Sequence, residues 1–132
     1  MKKSWAARCE ANPNLLFSKA IANAKKRSKE KGLVFEIDID YIKKIYSEQS
    51  GKCYYSKLPL NIVKSQESGL HDSFKMTLDR LDPNKGYVKG NVVWCAYCIN
   101  SFKLNMSKDK IVEVCKAIIN NFNEKEENKK DV

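Results

Sequence analysis

No run of apolar residues in this 132-residue chain reaches the roughly 20 needed to cross a bilayer. The first stretch, MKKSWAARCEANPNLLF, is positive but lacks the apolar core of a secretion signal. Five cysteines is an odd number, and without a secretion signal it argues against a disulfide framework. These absences lead us to expect a soluble, cytoplasmic protein with reduced thiols and no membrane partner. Histidine is almost missing, with His71 standing alone. There is no internal repeat, and the length suits one domain with tails. Acidic residues are in deficit: 16 Asp and Glu face 25 Lys and Arg, a formal charge of +9.

That charge is uneven. Residues 1–32 hold nine basic residues against Glu10 and Glu30. Such an asymmetry points to a polyanion partner, most simply nucleic acid. Residues 1–11 read as loosely ordered. Asn12-Pro13 is a helix start, because Asn caps free N–H groups and Pro tolerates the first turn. The helix then runs to Lys31, with Gly32 suited to end it. Phe17, Ile21 and Ala24 share one face, while Lys25, Lys26 and Arg27 lie largely elsewhere.

Leu33 to Ile37 reads as a short strand, and Asp38 as the N-cap of a second helix striped by Ile39, Ile42, Ile45 and Tyr46. Residues 61–75 are polar and read as a loop that holds His71. Ser107 caps a last helix, in which Ile111, Cys115, Ile118 and Phe122 recur as a packing stripe. Cys115 on that stripe reads as a small packed hydrophobe. The charged end, residues 123–132, reads as disordered.

The densest polar stretch is MTLDRLDPNKGYVKGNVVWCAYCINSFKL, residues 76–104. It reads as strand, turn, strand and helix: Met76 to Arg80, a turn at Pro83-Asn84-Lys85-Gly86, Val88 to Cys95, then Ala96 to Lys103. A unit of that order folds back on itself, so Asp79 and Asn100 can face each other. Carboxylate and amide oxygens are hard ligands, suited to Mg²⁺ that keeps waters and takes other ligands from phosphate. The plainer alternative is that Asp79 caps or pairs locally. Trp94 reads as core, and Lys103, one turn beyond Asn100, as a phosphate contact.

This stretch resembles the HNH nucleases, also called ββα-metal or His-Me finger endonucleases. The resemblance rests on Leu78-Asp79-Arg80-Leu81-Asp82, Gly86-Tyr87, Asn91, and Cys95-x-x-Cys98-x-Asn100-x-x-Lys103. Upstream, Gln49-Ser50-Gly51-Lys52-Cys53 and Leu58-Pro59-Leu60 look like the lead-in of phage-type members, and the likeness covers residues 33–119 or so. The resemblance implies an α+β fold, a small ββα-metal core flanked by N-terminal and C-terminal helices. It divides the chain into a basic helical region at 1–32, a nuclease-like domain at 33–122 and the tail. It implies Asp79 and Asn100 as ligands of Mg²⁺ or Mn²⁺, and Asn91 as the residue that steadies the loop. The usual general-base histidine is replaced by Arg80, which cannot take a proton at neutral pH but can grip a phosphate. Water activation then passes to Tyr87, Asp82 or His71. The Asp-Arg pair and the Gly-Tyr turn are similar to a ββα-metal restriction enzyme in which a Tyr is implicated in catalysis.

Many relatives in that family carry two C-x₂-C pairs that hold structural Zn²⁺. Here Cys95 and Cys98 form one pair, but Cys53 is followed by Ser56 where the second thiol would stand. Serine is a poor zinc ligand. A lapsed site with reduced, buried cysteines is the favoured reading, and zinc on Cys53, Cys95 and Cys98 the alternative. The sequence thus leads to a metal-dependent DNA endonuclease, with double-stranded DNA held by the basic first helix and by Lys103. Oligomeric state is open, with a homodimer as one form. The rival reading keeps the fold as an inactive DNA-binding or inhibitor module.

Overall fold

The computed structural model describes residues 4–61 and 73–130. His71, offered as a water activator, lies outside them. The order of elements is α1 (Trp5–Ala11), α2 (Asn14–Lys31), α3 (Ile39–Glu48), β1 (Met76–Arg80), β2 (Val92–Ala96), α4 (Tyr97–Lys103) and α5 (Lys108–Lys130). The architecture is mixed α+β, with β1 and β2 paired antiparallel, Met76 opposite Ala96 and Arg80 opposite Val92. Two compact units divide between Phe102 and Lys103.

The first unit is built around β2, which is buried along its whole length. Its Val92-Val93-Trp94 run combines β-branched and aromatic residues that suit a covered strand. Trp94 is fully buried, and its indole N–H donates to the Ile42 carbonyl at 2.8 Å. Phe17 of α2 and Tyr46 of α3 meet the indole edge-on at 5.8 and 6.2 Å. Emptying such a site costs about 3–5 kcal/mol. Gln49 fixes the strand by both ends of its amide: Nε2 donates to the Trp94 carbonyl, and Oε1 accepts from the Trp94 N–H. Leu16 and Ala24 of α2 are buried in the same core, which joins the basic helical region to the rest of this unit.

The helix ends follow local chemistry. Gly32 closes α2 with φ of 65°, a left-handed value that glycine adopts without a Cβ clash. Asp38 caps α3 by accepting from the Tyr41 N–H at 2.8 Å. Asn12 accepts from the Asn14 N–H at 3.2 Å, and Ser107 from the Lys110 N–H at the start of α5.

Four expectations are corrected. Residues 5–11 form α1 instead of loose chain, because Ser4 caps them through the Ala7 N–H. Leu33 to Ile37 is not a strand: it makes an isolated parallel bridge, Phe35 to Tyr87. The segment meets Tyr87 through Glu36 N–H to Tyr87 O and Tyr87 N–H to Val34 O, both at 2.8 Å. The charged end continues α5 through Lys130, since Glu and Lys are good helix formers. Within the second unit, Cys115 is exposed instead of packed, and Ile118 and Phe122 of the same stripe are exposed with it.

Candidate functional site

Strand alternation sorts the side chains of β1. Met76 and Leu78 are buried, whereas Thr77 and Asp79 point to the opposite, half-covered face. Asn100 of α4 reaches that second face: its Nδ2 donates to the Thr77 hydroxyl at 3.1 Å and lies 3.5 Å from the Leu78 carbonyl. Asp79 and Asn100 therefore stand on one side of β1, with Thr77 between them.

A third residue joins them that the sequence reading did not single out. Tyr55 donates its phenolic O–H to Asp79 Oδ2 at 2.8 Å. Burial, and then the Asp79 carboxylate that accepts its proton, push the Tyr55 pKa far above the usual tyrosine value. Tyr55 is thus a neutral donor that orients the carboxylate. Its position in Cys53-Tyr54-Tyr55-Ser56 drew attention only to the zinc question. The pairing of residues 24 apart is a tertiary contact, with no periodicity to announce it.

The loop between the strands is held by Asn91, which is buried. Its Oδ1 accepts from the Asp82 N–H at 2.9 Å, while Nδ2 donates to the Gly86 carbonyl at 2.9 Å and to the Asp82 carbonyl at 3.2 Å. Asp82 turns its own Oδ1 onto the Asn84 N–H, an Asx turn. Gly86 lies hard against the backbone of Val34, and a Cβ there would clash with the Val34 carbonyl and nitrogen.

Three residues that the sequence singled out take the following settings. Arg80 falls on the strand face away from Asp79, and its Nη1 donates to the carbonyls of Pro83 and Lys85 in the loop. It braces the turn, with its guanidinium 5.4 Å from the centre of the Tyr87 ring. Tyr87 is 3% exposed, and its oxygen accepts from Arg27 Nε at 3.0 Å. It is a core residue pinned by two arginines, not an open phenol beside a turn. Lys103 is 1% exposed, so it offers no surface ammonium to a phosphate backbone. Lys25 and Lys26 are exposed on α2, and Arg27 is half-buried against Tyr87.

Cys53 and Cys95 are buried, and Cys98 is half-buried. The Ala96 N–H approaches the Cys53 sulfur at 3.5 Å. Burial pushes this thiol up, but hydrogen bonds from the Ala96 backbone, the Ser56 hydroxyl and the backbone of Ser56 and Tyr55 outweigh it and lower the pKa. Cys95 lies 3.6 Å from the Thr77 hydroxyl. Among the described residues, no three Cys, His, Asp or Glu side chains gather as a metal-holding group. Among them, too, no helix is long and apolar enough to cross a membrane.

An uncharacterized 29.0 kDa protein of the dda-modA intergenic region in Enterobacteria phage T4 is 33% identical to this chain over 93 residues. The match covers 70% of this chain and 32% of that protein, so the chain spans about a third of the relative's length. No protein-family model matches the chain. No solved structure matches it significantly.

Proposed function

We propose that the protein is a metal-dependent endonuclease of the ββα-metal, or HNH, type that hydrolyses phosphodiester bonds in DNA. The observation that carries this reading is the common face of Asp79 and Asn100, with Asn100 bonded to the strand that bears Asp79. A carboxylate and an amide oxygen on rigid elements fit Mg²⁺ or Mn²⁺, whose remaining positions go to water and phosphate. Such an ion supplies charge stabilisation to the reacting phosphate and its departing oxygen. Tyr55 orients the Asp79 carboxylate and keeps its own proton at neutral pH. Asn91 and Arg80 hold the loop that follows β1. Activation of the attacking water falls to Asp82 or His71. Exposed Lys25 and Lys26, with the positive α2 around them, supply salt-sensitive attraction to the DNA backbone.

A second reading has its own observation. Arg80, at the position the family usually gives to its general base, bonds to loop carbonyls, and that favours a fold kept for DNA binding or protein interaction without cleavage. Incubating supercoiled plasmid with the purified chain in EDTA, Mg²⁺ or Mn²⁺ separates the two. Nicked or linear product only with the cation supports the nuclease. Retarded but uncut DNA under every condition supports the binding module.

A further inference from the structure

The Thr77 hydroxyl stands where β1, β2 and α4 meet. It donates to the Cys95 carbonyl at 2.9 Å, and the Cys95 sulfur lies 3.6 Å away. Thr77 and Cys95 are direct partners in the antiparallel ladder, so the strand pairing itself holds the hydroxyl in place. A hydroxyl has one proton and two acceptor lone pairs. With its proton committed to Cys95, Thr77 can offer Asn100 only a lone pair.

Asn100 meets it as a donor. Its Nδ2 donates to Thr77 Oγ1 at 3.1 Å and lies 3.5 Å from the Leu78 carbonyl. A carbonyl accepts and never donates, so both neighbours at this end of the amide call for N–H. Turning the amide over would set Oδ1 against two acceptors and give up the bond to Thr77. The nitrogen end is therefore tied to β1, and Oδ1 is the end left for a partner that seeks oxygen. Thr77 and Asn100 are both half-buried, which shelters the bond from competing water.

We propose that Thr77 is a positioning residue that holds the Asn100 amide with its nitrogen toward β1, so that the group offered to a cation is Oδ1 and not an N–H. That a cation is bound rests on the nuclease reading; the hold of Thr77 on the amide does not. An amide oxygen is a hard donor that matches Mg²⁺ or Mn²⁺, whereas an N–H in its place repels a cation. The two candidate ligands are then oriented separately, Asp79 by Tyr55 and Asn100 by Thr77. Valine at position 77 keeps the branched shape and loses the hydroxyl; serine keeps the hydroxyl and loses a methyl.

The test reads Mn²⁺ binding to the full chain without nucleic acid, by electron paramagnetic resonance, together with the side-chain amide signals of Asn100 in NMR spectra taken without metal. Asn100→Ala identifies those signals by their loss. The wild type is expected to bind Mn²⁺ saturably and to show Asn100 N–H protons that exchange slowly with water. Thr77→Val is expected to bind Mn²⁺ about tenfold more weakly or worse, with faster amide exchange. Thr77→Ser is expected to stay near wild type in both. In an Asn100→Ala background, Thr77→Val is expected to add no further loss, as a residue acting through Asn100 requires. Thermal melts show which variants fold, and the wild-type amide signals need no variant at all. Fast exchange of those protons in the wild type, no saturable Mn²⁺ binding, equal binding by Thr77→Val, equal loss in Thr77→Ser, or an additive loss in the Asn100→Ala background would each overturn the proposal. No arm contains DNA. A chain that binds Mn²⁺ as described but never cuts DNA retracts the nuclease and keeps the role of Thr77. A chain that cuts DNA while Thr77→Val binds Mn²⁺ as wild type does retracts only the role of Thr77.

Discussion

The Tyr55 hydroxyl donates to Asp79 at 2.8 Å, joining the segment after α3 to the strand that carries the candidate carboxylate ligand. Residues that orient a metal ligand typically change metal affinity or activity about 10–100-fold when removed. Tyr55→Phe is therefore expected to slow metal-dependent cleavage by about that factor while the fold persists. Cleavage rates across a Mg²⁺ titration check this: a lost orienting bond raises the metal concentration needed.

The same bond gives a pH signature. The Tyr55 pKa is raised in the folded protein, so its contribution to stability is complete below the unfolded tyrosine value of about 10. Above that value the unfolded chain releases a proton that the folded chain retains, and stability falls as pH rises. Melting temperatures between neutral pH and the alkaline limit should decline more steeply for wild type than for Tyr55→Phe. Parallel slopes would contradict the assignment.

Asn91→Ala removes three side-chain hydrogen bonds to the loop backbone and leaves the Asp82 N–H without this partner. A loss of roughly 2–4 kcal/mol is expected, since a buried polar group stripped of its partner costs about 1–3 kcal/mol. Urea unfolding measures it directly.

Gly86→Ala tests close approach instead of bonding. The added methyl meets the Val34 backbone, which cannot rotate away as a side chain would. Destabilisation of about 1–3 kcal/mol or more is expected from overpacking. A melting temperature equal to wild type would contradict the close approach of Gly86 to the Val34 backbone.

Arg80→Lys separates the two roles of that arginine. A lysine keeps the charge but cannot present a planar fork to the carbonyls of Pro83 and Lys85. The account expects Arg80→Lys to destabilise the protein nearly as much as Arg80→Ala, by about 1–2 kcal/mol. Full stability with lysine would show that charge alone matters there.

Much of the frame was legible because it depends on local chemistry. Met76–Arg80 alternates and ends in charge, Asp38 and Ser107 are short polar caps, and Gly32 takes the left-handed conformation at the end of α2. Asn100 bonds Thr77 of β1, two residues before Asp79, a contact that the strand–turn–strand–helix order allows. What escaped depends on distant partners. Tyr55 meets Asp79 across 24 residues, Arg80 and Arg27 converge on Tyr87 from different elements, and the 33–37 segment pairs with a single loop residue. No pattern of period two or 3.6 encodes such contacts. α1 was missed because seven residues are too few for a periodic signal, leaving only the Ser4 cap to mark it.

The most direct measurement is plasmid cleavage in Mg²⁺ and Mn²⁺ by the wild type, Asp79→Ala and Asn100→Ala, with folding verified for each. The account predicts cation-dependent cutting by the wild type and none by Asp79→Ala. For Asn100→Ala it predicts strongly reduced cutting, partly recovered at higher cation concentration. Full activity in Asp79→Ala, or equal activity in EDTA, would contradict it.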